Sequence, residues 1–113
     1  MKLSRQVQDV EHKEYSVFVE PSADRRLASH FEFLSRVSED AAFRLYDEYE
    51  ETLRFLEYNP ESCPPYVPKI PIDAQLKCML FGKRYRIVFE ICEKNVYVYD
   101  IQDCRQDSDK NIL

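Results

Sequence analysis

Five prolines fall between residues 60 and 73, at Pro60, Pro64, Pro65, Pro68 and Pro71, and they divide the chain into unlike halves. Proline fixes φ and has no N–H to donate, so neither a helix nor a central strand runs through such a stretch. It reads as an extended segment carrying the chain from one kind of structure to another. Ahead of it the apolar residues keep helical spacing. Ser22 is a good N-cap, and Ala23, Leu27, Phe31 and Leu34 then line one face of a helix reaching about Val37. Ser38 caps a second helix with Glu39 and Asp40 in its first turn, where the helix dipole favours acids. Its apolar face is Ala42, Leu45, Tyr46, Tyr49, Leu53 and Leu56, and Asn59-Pro60 ends it, with Asn59 suited to a left-handed terminus. A break of one or two residues between two helices predicts an antiparallel helical hairpin.

Behind the prolines the pattern is that of strands. Gln75 to Phe81, Arg84 to Cys92 and Val96 to Gln102 are rich in β-branched and aromatic residues, with hairpin turns at Gly82-Lys83 and Glu93-Lys94-Asn95. One more short strand, Tyr15-Ser16-Val17-Phe18-Val19, precedes the helices and ends at Pro21; it needs a partner among the later strands. The predicted fold class is α+β: an N-terminal strand, an antiparallel two-helix hairpin, then a three-stranded antiparallel meander, with the helices packed on one face of the sheet. Residues 1–14 read as an N-terminal arm, 15–107 as the single domain and 108–113 as a C-terminal tail.

Composition removes several function classes. Gly82 is the single glycine, too few for a phosphate-binding loop or a dinucleotide fingerprint. No apolar run is long enough to span a membrane, and the polar first fourteen residues do not resemble a signal peptide, so a cytoplasmic protein is expected. Cys63, Cys78, Cys92 and Cys104 form no C-x-x-C pair and lie near no histidine, which predicts free, mostly buried thiols, no metal and no cofactor. His12 and His30 stand alone and are expected in surface or capping roles.

The net charge of −5 is unevenly spread. Residues 1–73 carry 9 Lys/Arg against 15 Asp/Glu, whereas residues 74–105 carry 6 against 4. Asp47, Glu48, Glu50 and Glu51 read as the solvated face of the second helix, and Arg36, Arg44 and Arg54 on the two helices read as solvated or paired with nearby acids. Tyr46, Tyr49 and Tyr58 read as packing residues with a polar tip. An acidic chain lacks the basic excess on which phosphate binding depends, so no direct sequence-specific DNA binding is expected. The strand half nonetheless places cations on the sheet. Arg86 sits among Ile87, Val88 and Phe89, and Arg105 follows the last strand. Such cations are pre-positioned for an anion or a partner, or else cover a sheet edge with their stems.

Four segments in this order resemble the RelE/ParE toxins of bacterial type II toxin–antitoxin systems. They are Val17-Phe18-Val19-Glu20-Pro21-Ser22-Ala23, the Leu53-x-x-Leu56-x-x-Asn59-Pro60 helix ending, Gly82-Lys83-Arg84-Tyr85-Arg86-Ile87-Val88-Phe89, and Val96-Tyr97-Val98-Tyr99-Asp100-Ile101-x-x-x-Arg105. The resemblance implies a small toxin held by a cognate antitoxin. One branch, RelE-like, cleaves mRNA in the ribosome without a metal; the other, ParE-like, is implicated in poisoning DNA gyrase. RNA cleavage through the 2′-hydroxyl needs proton transfer and cations at the crowded phosphorus. On the RelE pattern Lys77, Arg86 and Arg105 match the cationic positions, but Met79 stands where a second lysine is expected. The tail from Gln106 to Leu113 holds neither tyrosine nor histidine. The missing proton-transfer residue, the long hairpin and the acidic balance place the chain nearer the ParE branch, as a growth inhibitor that binds a protein, with a ribosome-dependent mRNA endonuclease or an inactive relative as alternatives. Candidates for the groove that meets target or antitoxin are Lys83, Arg84, Tyr85, Arg86, Tyr97, Tyr99 and Arg105.

Overall fold

A computed structural model describes residues 13–105. Residues 1–12 of the proposed arm, with His12, the last two residues of the proposed domain and the whole proposed tail lie outside the described residues. The element order is β1 (Ser16–Val19), α1 (Pro21–Ser35), α2 (Glu39–Tyr58), a 3-10 turn (Pro60–Ser62), β2 (Pro65–Tyr66), β3 (Leu76–Phe81), β4 (Tyr85–Cys92) and β5 (Asn95–Asp103). The strands form one sheet in the order β1-β5-β4-β3-β2. The meander β3-β4-β5 is antiparallel, and β1 joins it parallel to β5 through the pairs Val17↔Val96 and Val19↔Val98. The fold class follows the sequence pattern, and the strand that needed a partner finds it in β5. The hairpin between β1 and β5 supplies the helical connection that a parallel pair requires.

Several local expectations shift by a residue or more. Glu20, not Ser22, is the N-cap of α1: Pro21 takes the first helical position, and the Ala23 and Asp24 N–H groups bond to the Glu20 carbonyl. Proline suits that position because its fixed φ is helical and no N–H is lost there. Ser38 does cap α2, its Oγ accepting from the Ala41 N–H at 3.2 Å. Asn59 is not left-handed, with φ −135°; the chain tightens instead into the 3-10 turn. The proline segment is not wholly irregular, since Pro65 and Tyr66 pair with Lys77 and Leu76.

The core lies between hairpin and sheet. Ala23, Leu27 and Leu34 of α1 and Ala42, Leu45, Tyr49 and Leu56 of α2 meet Phe81, Tyr85, Ile87, Phe89, Val96, Val98 and Ile101. Tyr15 closes one end: its hydroxyl donates to Glu61 and its N–H to the Glu57 carbonyl. Phe31, expected on the buried face, sits at the side of the hairpin, where it meets Tyr46 and Phe43 at ring separations of 4.8 and 5.8 Å. Among the described residues no helix is long and apolar enough to cross a membrane. All four cysteines are free, but Cys92 and Cys104 are exposed rather than buried.

His30 overturns the expectation of a surface role. It is buried beside the Tyr85 ring, and its Nε2 lies 2.8 Å from the Ile101 carbonyl, to which the neutral ring donates. β1 covers only residues Asn95 to Val98 of β5, so the rest of that edge would carry unpaired backbone groups. α1 turns back along this edge, and His30 satisfies the Ile101 carbonyl in place of a strand. Burial holds its pKa below the usual value of 6.5, the Ile101 hydrogen bond opposes that shift, and the Arg26 charge adds to it.

Two outcomes follow. Because the unfolded chain takes up a proton near pH 6.5 that folded His30 refuses, stability falls as pH drops below about 6.5 and levels off under the folded pKa. Urea midpoints at pH 7.5 and 5.5 should differ for the native chain, and by less for His30→Gln. At the β3–β4 turn, Gly82 and Lys83 have φ of +61° and +69°, the pair of positive values that a type I′ turn requires. Gly82→Ala should lower thermal stability by roughly 1–2 kcal/mol, the cost of a left-handed conformation for a residue with a Cβ.

Candidate functional site

The sheet face turned away from the helices carries most of the polar chemistry, and a β-bulge places it there. β4 pairs with β5 in register from Tyr85↔Asp103 to Val88↔Asp100, then resumes at Phe89↔Val98, so Tyr99 is the extra residue. Val96 and Val98 face the helices before the bulge, and Ile101 faces them after it. Asp100 and Gln102 are thereby turned to the opposite face, where unbroken alternation from Val98 would have put them in the core.

There they hold Arg86. Gln102 Oε1 accepts from Arg86 Nε at 3.0 Å and from Nη2 at 2.8 Å, and the guanidinium lies 5.3 Å from the centre of the Tyr66 ring. Gln102 Nε2 donates at 3.1 Å to both the Tyr66 hydroxyl and Asp100 Oδ2. Asp100 is 2 % exposed, and its carboxylate also accepts the Ile101 N–H and faces Arg26 at 3.7 Å. A buried carboxylate is costly unless charge and hydrogen bonds compensate it, and here both do. The chain Arg26–Asp100–Gln102–Arg86 therefore fixes the Arg86 side chain from beneath.

The other cations are held elsewhere. Lys77 pairs with Phe89 and so lies on the helix side of the sheet, its ammonium donating to the Cys63 carbonyl at 2.9 Å and weakly to the Glu61 carbonyl at 3.4 Å. Arg84 bonds Asp103 at 2.7 Å. Burial alone would raise the Asp103 carboxyl, but the Arg84 hydrogen bond, the Arg105 N–H and the Arg84 charge outweigh it and hold it below the ordinary range. Arg105 is exposed just past β5, in a shallow recess with Arg84, Asp103 and Phe33. Lys83 is exposed on the turn. Lys77 and Arg86 thus occupy opposite faces, and Arg105 stands with Arg84 at the end of the sheet, so the three candidate phosphate ligands do not converge.

The tyrosines divide in the same way. Tyr85 is not a groove residue: it is 3 % exposed and packs in the core against Phe81 and His30. The odd-numbered residues of β4 face the helices, which the sequence alone did not phase. Tyr97 and Tyr99 do lie on the helix-free face. Tyr97 stacks on Phe18 at 5.6 Å and accepts from Asn95, and Tyr99 donates to Glu90 at 2.7 Å. Burial and the Glu90 hydrogen bond push the Tyr99 hydroxyl up to about 12, so it keeps its proton throughout the neutral range and is a poor base. Sequence reasoning overlooked Asp100, Gln102, Tyr66 and Arg26 as supports of Arg86. The bulge that assembles the first two leaves no signal in local composition.

The network makes a measurable claim. Gln102→Leu strips the acceptor from Arg86 and a donor from Asp100, and should lower the free energy of unfolding by about 2–3 kcal/mol. Arg86→Leu and Gln102→Leu combined should cost less than the sum of the single changes, by about 1 kcal/mol or more in a urea double-mutant cycle.

The family model for the ParE toxin of type II toxin–antitoxin systems, parDE, matches residues 17–108. No curated protein sequence matches the chain. Among solved structures it is similar to the chromosomal ParDE toxin–antitoxin system from P. aeruginosa, with TM-score 0.63, 11% identity, and coverage of 80% of this chain and 97% of that one. It is also similar to the archaeal RelE–RelB complex from Pyrococcus horikoshii OT3, with TM-score 0.53, 17% identity, and coverage of 83% and 99%. At these identities the structural likeness speaks for the fold alone, while the family model spans most of the sequence. With the hairpin-on-sheet fold and its parallel β1–β5 pair, the chain belongs to the ParE toxin family of type II toxin–antitoxin systems.

Proposed function

We propose that this chain arrests growth in the cytoplasm by binding a protein target, DNA gyrase, and that a cognate antitoxin neutralises it. The observation that carries this reading is the separation of Lys77 and Arg86 onto opposite faces of the sheet, each already hydrogen-bonded within the protein. Phosphate held for cleavage needs cations that converge and have donors to spare. Tyr99, on the helix-free face, keeps its proton at neutral pH and offers no base.

The surface supports a protein-binding role. Phe33, Val37, Phe43 and Tyr46 are exposed on the hairpin, and Phe18 is 50 % exposed on the first strand. Apolar surface of this kind, bordered by charged side chains, suits a protein better than a phosphate backbone. Arg84 and Arg86, held by Asp103 and Gln102, and the exposed Arg105 then serve as cations for contact with acidic side chains.

The purified chain at micromolar concentration should inhibit supercoiling of relaxed plasmid by gyrase. Normal supercoiling at that concentration would overturn the gyrase assignment. Toeprinting on translating ribosomes examines the other branch: cleavage of mRNA that is lost in Arg86→Ala and Arg105→Ala would establish a nuclease in place of a gyrase inhibitor.

A further inference from the structure

Among the described residues, two buried side-chain polar atoms have no hydrogen-bond partner: Arg84 Nε and the Tyr85 hydroxyl. Both residues line one cavity of about 180 Å³, where the bend of the helical hairpin meets the β3–β4 turn. Buried polar groups left unpaired are rare in folded proteins, because each has given up water without regaining a bond. Here both fall on residues of the same cavity.

The rest of the lining is polar and unpaired in the same way. Arg44 and Glu48 of α2 close the cavity from the helix side, and among the described residues neither side chain has an ion-pair or hydrogen-bond partner. They stand four residues apart on one helix, a spacing at which opposite charges reach each other. The Glu48 carboxylate leans over the turn instead: a Cβ on Gly82 would lie 2.7 Å from its Oε1 and 3.5 Å from Tyr85 Cδ2. Leu34, Ala41 and Leu45 supply an apolar wall. Arg44 is exposed and Glu48 half-buried, so the cavity is open to solvent on their side.

We propose that this cavity binds a small zwitterion, a free α-amino acid with a short aliphatic side chain. The ligand carboxylate accepts from Arg44, Arg84 Nε and the Tyr85 hydroxyl, the ammonium donates to Glu48, and the side chain rests on Leu34, Ala41 and Leu45. Burial pushes the Tyr85 hydroxyl up, so at neutral pH it holds a proton to donate. A simple anion would suit the arginines but face Glu48, and a simple amine would suit Glu48 but face the arginines. A zwitterion meets both charges at once. The volume limits the ligand: it equals the share of roughly six waters at about 30 Å³ each, well short of a drug-sized pocket. The site shares no residue with the network around Arg86 and does not depend on the gyrase reading.

The probe is L-valine, titrated into the full isotope-labelled chain and followed by amide NMR. Gly82 is the single glycine, so its amide is an unambiguous reporter at the cavity. Its signal should shift saturably, with a Kd of about 1 mM or lower. Isovalerate is valine without the ammonium, and isobutylamine is valine without the carboxylate; each should bind about ten-fold more weakly or worse. Arg44→Gln and Glu48→Gln should weaken valine by a similar factor, and Tyr85→Phe by about three-fold or more. Arg44 is exposed and the other two changes are near-isosteric, so signals away from the cavity should stay in place and report an intact fold. Absence of a saturable shift up to about 10 mM, the outcome if water alone satisfies the cavity, would overturn the site. Equal binding of isovalerate or isobutylamine would overturn it too, as would valine binding indifferent to both Arg44→Gln and Glu48→Gln.

Discussion

The structure depends on how β5 is satisfied along both edges. One edge is an antiparallel ladder to β4, broken by the bulge at Tyr99. The other is shared: β1 covers the first half in parallel, the Glu20 N–H bonds the Val98 carbonyl, and His30 takes the Ile101 carbonyl. A strand with unpaired backbone beside a packed helix would lose a hydrogen bond without regaining water. Covering that edge with the return path of α1 removes the penalty and fixes where the hairpin lies. The neutral state of His30 is a consequence of the same geometry, since a carbonyl partner and burial both suit an uncharged ring.

The bulge has a second effect. By turning Asp100 and Gln102 to the helix-free face, it puts a buried acid and an amide beneath Arg86. The result is a cation held by the Gln102 amide and the Tyr66 ring, with Asp100 bracing the amide. A side chain fixed in this way has little further entropy to lose when a partner meets it. The Arg84–Asp103 pair does similar work at the end of the sheet, where partial burial makes it worth more than an exposed pair such as Arg36–Glu32 at 4.0 Å.

Much of the fold was legible because it follows from local rules. The proline segment, the Ser38 cap, the 3.6-residue spacing in both helices and the Gly82-Lys83 turn each carry their own physical signal. The misplaced details share one cause. Asn59 and Ser22 are plausible caps in isolation, but the neighbouring prolines decide the φ values there. Phe31 and His30 are adjacent on α1, and only the packing partner determines which one is buried. Tyr85 and Arg86 are adjacent on β4, and period-two alternation cannot by itself say which faces the helices. The candidate site suffered most, since its list of strand cations and tyrosines mixed residues from both faces.

The sequence by itself determined the α+β class, the two helices, the three-stranded meander and the cationic character of the strand half, because these follow from periodicity, capping and proline chemistry along the chain. It also carried the family likeness, which the model match over residues 17–108 bears out. The tertiary structure decided what the cations can do. Lys77 and Arg86 are nine residues apart on neighbouring strands, yet they end on opposite faces, each already hydrogen-bonded to different protein groups. Which side a strand residue faces depends on what packs against the sheet, and a single bulge resets it; both are properties of the assembled fold and not of any segment within it.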